Sequence, residues 1–151
     1  MKQLEKFIKN YPVNIELKVQ WGDMDAFNHV NNVMYFRYFE SARLAYFERI
    51  GVMDKSNKNS IAPILAETSC RYRLPLNYPD VILVGARVIE NHSHGFLMEY
   101  AIYSHTHKCV SSIGTGRIVM LDYKTHEKVA VNKSTLKLIE ELSPINPRFK
   151  I

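Results

Sequence analysis

Asn31-Asn-Val-Met-Tyr-Phe-Arg-Tyr-Phe-Glu-Ser-Ala-Arg-Leu-Ala-Tyr-Phe-Glu-Arg-Ile50 contains no glycine or proline. Asn31 and Asn32 are candidate caps at one end and Gly51 at the other. Val33, Phe36, Phe39, Phe47 and Ile50 recur at helical spacing, with Arg43 the one charge in that series. Tyr35, Tyr38, Ala42 and Tyr46 do the same on the adjoining face, and the polar residues are mainly Arg37, Glu40, Ser41, Arg43, Glu48 and Arg49. A helix apolar around most of its circumference has to be wrapped by other structure. At about 1.5 Å per residue it spans about 30 Å, the width of a small domain. The segment predicts a central helix over residues 31–50.

On either side the period changes to two. In Asn14–Gln20, Ile15, Leu17 and Val19 oppose Glu16, Lys18 and Gln20, the alternation of a half-buried strand. After a polar loop at Lys55–Ser60, four more strand-like runs follow: Ile64–Arg73, Val81–Glu90, Phe96–His105 and Cys109–Asp122. Val81–Glu90 is apolar on both faces, which predicts burial on both sides or an interface. Gly114 and Gly116 predict a bulge or a close backbone approach. Ser134–Leu142 reads as a terminal helix stopped by Pro144 and Pro147. One strand, a long buried helix and four strands joined by short turns predict an α+β fold with a largely antiparallel sheet curled round the helix.

The 151 residues are 46% hydrophobic and 23% charged, which fits one compact domain over residues 1–151. Cys70 and Cys109 form no CxxC pair and no zinc quartet, so reduced, cytoplasmic life is the expectation. The charged N-terminus argues against a secretory signal. The most apolar run, Val81–Ile89, falls far short of the ~20 residues of a membrane span. A net charge of +5 favours anionic partners, phosphate-bearing small molecules among them.

The densest polar cluster precedes the helix: Asp23, Asp25, Asn28, His29, Asn31 and Asn32. A helix N-terminus carries unpaired N–H groups and a partial positive charge, so it can hold a developing oxyanion. A carboxylate just upstream can stand beside whatever that terminus polarises, and the two together form a minimal acyl-transfer site. Taken as a local pattern, the same asparagines and aspartates serve equally well as turn and cap residues.

Asp23-Met-Asp25-Ala-Phe-Asn-His29-Val-Asn-Asn32-Val-Met-Tyr35, running on into Phe39-Glu40-Ser-Ala-Arg43, resembles the hotdog-fold thioesterases of the 4-hydroxybenzoyl-CoA thioesterase-like type. The resemblance covers about Ile15 to Val131. The motif is also similar to that of plant acyl-ACP thioesterases. Those carry an Asn where Phe27 stands and a Glu-Cys pair absent from this chain, which leaves the simpler carboxylate mechanism ahead. The resemblance implies a five-stranded antiparallel sheet round a long helix, with Asp25 as the catalytic carboxylate and backbone N–H groups near Asn31, Asn32 and Val33 as oxyanion donors. It implies an acyl-CoA or acyl carrier protein thioester as substrate, no cofactor, and a homodimer, often doubled to a tetramer, with sites at the dimer interface. His94 and Gly95, at the turn before the fourth strand, are implied to lie near bound CoA.

His29 is a candidate for a catalytic role or for bonding the loop, and Tyr35 for substrate binding. Glu40, if buried, needs a partner in the loop or in Arg43. The pairs His92/His94 and His105/His107 lack the acidic or thiol ligands a metal site demands, so no metal is expected. Arg71, Arg73, Arg87 and Arg117 are candidate contacts for CoA phosphates. Aromatics concentrated on a helix face suit core packing better than nucleic-acid stacking, so no nucleic-acid partner is expected. Hydrolysis of an acyl-CoA to free acid and CoA is the expected reaction. A hotdog hydratase or dehydratase, and a non-catalytic acyl-thioester-binding module, are the alternatives.

Overall fold

The computed structural model describes residues 2–53 and 60–142. Along them run α1 (Lys2–Asn10), β1 (Val13–Lys18), a one-turn 3-10 helix (Trp21–Asp23), α2 (Asn32–Arg49), β2 (Ile61–Tyr72), β3 (Val81–His92), β4 (Gly95–Ser104), β5 (Cys109–Asp122) and α3 (Lys133–Glu141). The strands form one antiparallel sheet in the order β1-β3-β4-β5-β2. Consecutive hairpins join β3, β4 and β5. β2 crosses over to pair with β5 and so becomes an edge.

The alternation in β1 is realised as expected: Ile15 and Leu17 pack against the main core while Glu16 and Lys18 face solvent. On the concave side of the sheet, Tyr35, Phe39, Ala42, Tyr46 and Phe47 of α2 meet Ile82, Val84, Phe96, Met98, Tyr100 and Ile118. This is the five-stranded α+β hotdog architecture, and α2 is its central helix. It begins at Asn32, one residue later than expected, because Asn31 is its cap: the Asn31 Oδ1 accepts from Val33 N–H at 3.0 Å. β5 has the expected bounds, and β2 starts earlier, at Ile61. The expected loop, apart from Ser60, and the prolines 144 and 147 lie outside the described residues.

Gly114 and Gly116 serve close approach and not bulges. A Cβ at Gly114 would strike the Phe39 ring and one at Gly116 the Tyr100 side chain, whereas the register shifts fall at Leu65/Glu67, Val88/Glu90 and Ile102/Tyr103. The helix α1 was not anticipated. Its Phe7, followed by Tyr11, lies on Leu83, Ala101, Tyr103 and Ile113 on the convex side of the sheet. That explains why β3 is apolar on both faces: α2 covers one and α1 the other. Self-association is therefore not needed to hide the second face of β3.

Beneath α1, three donors converge on one oxygen. Glu99 Oε1 accepts from Arg87 Nη2 (2.6 Å), Arg87 Nε (3.0 Å) and the Tyr11 hydroxyl (2.7 Å). Arg87 is thus engaged in the interior and is not a surface contact for phosphate, which corrects its expected place among the candidates.

Candidate functional site

The loop between β1 and α2 is pinned at both ends. Asp23 Oδ2 accepts from Gln20 N–H at 2.9 Å and from the Tyr38 hydroxyl at 2.7 Å, and Asp23 O accepts from Asn31 N–H at 2.8 Å. Burial, then the bond to Asp23, raises the Tyr38 phenol well above its ordinary range, so it stays a donor at any working pH. Val30 N–H donates to Leu76 O at 2.8 Å and the Asn77 amide donates to Asn28 O at 2.6 Å, which ties the loop to the segment after β2. Asn28 holds φ at 61°, inside the left-handed region, to close the turn.

Asp25 sits at the tip of this turn. Its N–H donates to His29 O at 2.8 Å, and its Oδ1 accepts from Phe27 N–H at 2.8 Å and His29 N–H at 3.4 Å. Its Oδ2 carries no hydrogen bond among the described residues. Asp25, Asn32, Tyr35 and Tyr72 line one pocket of about 230 Å³ together with Val30 and residues 73–75. At the helix start, Val33 N–H is taken by the Asn31 side chain and Met34 N–H by Asn31 O at 2.9 Å. Asn32 N–H is left without an acceptor among the described residues, so of the expected trio it is the one with a free donor in the pocket.

Tyr35 is buried, and its hydroxyl accepts from Leu76 N–H at 3.1 Å. Tyr72 packs edge-on to it, with ring centroids 4.8 Å apart, and donates to Asn32 O at 3.0 Å. Burial pushes the Tyr72 phenol up to about 12. Both rings stay neutral around the carboxylate. Tyr38, Tyr72 and Asp23 were not singled out as site residues. Asp23 was visible in Asp-x-Asp, but nothing in the spacing shows that a tyrosine 15 residues on would reach back to it.

Other candidates are placed apart. The His29 side chain is exposed and its backbone makes the contacts with Asp25. His94 and Gly95 stand at the β3–β4 turn, while β3 enters the sheet beside Lys18, just before the Asp25 loop. Within one protomer they are at the opposite end of the sheet. A Cβ at Gly95 would collide with Ile118 O, so packing alone demands glycine there. Glu40 is not buried: its side chain is 55% exposed and 3.9 Å from buried Arg43, which donates to the Tyr100 hydroxyl at 3.3 Å. Helix α2 leans toward β1 and β3, so Glu40 sits at the open side facing β2. Arg71, Arg73 and Arg117 are exposed, and Arg73 lines the Asp25 pocket. No three His, Cys, Asp or Glu residues come together as a metal site among the described residues.

A sequence model of the thioesterase-like superfamily matches residues 19–139, and the chain belongs to that family. It is 20% identical over 127 residues to the long-chain acyl-CoA thioesterase FadM of Escherichia coli, covering 84% of this chain and 96% of that one. It is 32% identical over 75 residues to the acyl-acyl carrier protein thioesterase ATL3 of Arabidopsis thaliana, covering 49% of this chain and 40% of that one. The aligned part spans 37% of YsmA from Bacillus subtilis. A Thermus thermophilus thioesterase crystallised with coenzyme A and Zn superposes with a TM-score of 0.76 at 25% identity, over 88% of this chain and 95% of that one. Family, fold class and the thioester hydrolase class agree with what residues 21–43 implied.

Proposed function

We propose that the protein hydrolyses an acyl-CoA thioester to the free acid and CoA, with Asp25 as the catalytic carboxylate. The observation that carries this is the pairing, in one pocket, of the Asp25 carboxylate with the unengaged N–H of Asn32 at the start of an 18-residue helix. Asp25 Oδ1 is tied to the backbone, which leaves Oδ2 to attack the thioester carbonyl or to take a proton from water. The carbonyl oxygen, as it gains charge, is held by Asn32 N–H and the helix dipole. The C–S bond then breaks, the thiolate leaves as CoA and takes up a proton, and water supplies the oxygen of the acid. The exposed Arg73 at the pocket offers a cation to CoA phosphates.

The working unit in this proposal is a homodimer. The strand β2 lies at the edge of the sheet, and its unpaired backbone edge is one that a second copy would pair. The thiols of Cys70 and Cys109 are free, in keeping with a reducing cytoplasm.

A thiol-release assay over acyl-CoAs tests the reaction. Asp25→Asn should lower release by about 10²-fold or more. An unchanged rate in that variant removes Asp25 from the chemistry. Water addition to an enoyl-CoA without thiol release points to a hydratase, and saturable binding without either reaction to a binding module.

A further inference from the structure

One hollow among the described residues, walled largely by apolar side chains, plays no part in the mechanism above. It lies between the C-terminal half of α2 and the first half of β2, encloses about 730 Å³, and is walled by Leu44, Phe47, Val52, Met53, Pro63 and Ile64. We infer that this groove receives the tail of a long, unbranched aliphatic acyl chain whose thioester is held at Asp25. The inference rests on the hydrolase reading and adds the substrate class to it.

Position argues for this occupant first. Groove and carboxylate pocket lie along the same helix, Asn32 at one and Glu40 to Phe47 at the other. At about 1.5 Å per residue, the groove opens roughly 12 Å beyond Asn32 and ends roughly 22 Å beyond it. Between them, exposed Val33 and half-buried Phe36 continue an apolar stripe on α2 toward exposed Leu44. An extended chain advances about 1.2 Å per bond, from ~3.5 Å per three-bond residue, so about ten carbons reach the mouth and about eighteen the far wall.

Charge argues for it second. The charged groups of the groove, Glu40 and Arg43, stand 3.9 Å apart and offset each other, and Arg43 is further engaged by Tyr100. Among the described residues that line it, no net charge is left for an anionic headgroup. Volume agrees as well, since 730 Å³ falls within the ~300–1,000 Å³ usual for small-molecule sites and exceeds what one aromatic ring fills.

The consequence is a chain-length dependence with a threshold. Below about ten carbons the tail does not reach the groove. Beyond that, full burial of each methylene is worth about fourfold in affinity, and a half-open groove gives about half of that free energy, roughly twofold per methylene. The rise in kcat/KM from decanoyl- to hexadecanoyl-CoA is then ~60-fold.

The experiment measures thiol release from octanoyl-, decanoyl-, hexadecanoyl- and benzoyl-CoA by the wild type and by Leu44→Trp, which fills the groove. Thermal unfolding of both confirms that the variant is folded. Ala62→Phe, from the opposite wall, serves if Leu44→Trp is not. The inference expects hexadecanoyl over octanoyl selectivity of at least tenfold in the wild type, and its collapse toward one in the groove variant. A flat chain-length profile, a benzoyl preference, or selectivity that survives in the filled groove overturns it while leaving the hydrolase intact. Absence of thiol release from every substrate overturns the hydrolase reading itself.

Discussion

Removing Arg87 should be among the most damaging single changes to this fold, and the reason is visible in one oxygen atom. Glu99 Oε1 collects Arg87 Nη2, Arg87 Nε and the Tyr11 hydroxyl at 2.6, 3.0 and 2.7 Å, with side chains 1% and 7% exposed for Arg87 and Glu99. Arg87 also donates to Asn10 O at 3.3 Å and stacks over the Tyr11 ring at 4.8 Å, so it joins the sheet to the end of α1. In Arg87→Met the carboxylate stays buried without its cation. Breaking such a pair costs about 3–5 kcal/mol, against a total stability of about 5–15 kcal/mol for a typical domain. Tyr11→Phe removes one bond to a charged acceptor and costs about 1.5–3 kcal/mol. The double variant Arg87→Met/Glu99→Leu removes both charges and should recover most of the loss. Urea unfolding at pH 7 measures all three. A loss below about 1 kcal/mol for Arg87→Met, or a double variant worse than the single, would refute the claim that an uncompensated buried charge drives the effect.

Three further outcomes are expected. Tyr38→Phe frees Asp23 Oδ2 from its 2.7 Å bond and loosens the loop that carries Asp25, so kcat for thiol release falls while the melting temperature drops only by the equivalent of about 1.5–3 kcal/mol; unaltered kcat would show that the bond does not position the loop. Asn28, at φ 61°, tolerates Gly with little change in stability, whereas Ala costs about 1 kcal/mol, a contrast that thermal melts of the two variants would resolve. The Ser60 hydroxyl, followed by Lys124 N–H, holds the Asp122 carboxyl below its usual range, so its contribution to stability is present above about pH 4 and fades as pH falls through the folded value. The acid limb of the stability curve should flatten in Asp122→Asn, and an identical limb would remove Asp122 from it.

The period of the apolar residues was enough to place α2, β1, β4 and β5, because a side chain's face follows from its position in the chain alone. It was not enough for α1. With nine residues and Leu4, Phe7 and Ile8 as its apolar content, that helix has too little local free energy to announce itself and exists by docking on the sheet. Glu40 misled for a related reason: a helix apolar all round suggests full enclosure, yet α2 leans toward β1 and β3 and leaves the side toward β2 open.

At the site, the type and order of residues from Asp23 to Tyr35 already named a carboxylate beside a helix N-terminus, since both depend on neighbours within one or two turns. Which N–H is available was settled by where the Asn31 side chain goes. The bond from Tyr38 to Asp23 was settled by the fold of the loop back onto α2, the separation of His94 from Asp25 by the pairing of β3 with β1 and β4, and the pocket shared with Tyr72 and the groove beside Leu44 by the crossover that puts β2 at the sheet edge. Local periodicity is written along the chain, but contacts between segments far apart in sequence depend on the order in which strands pair, and only the assembled sheet fixes that order.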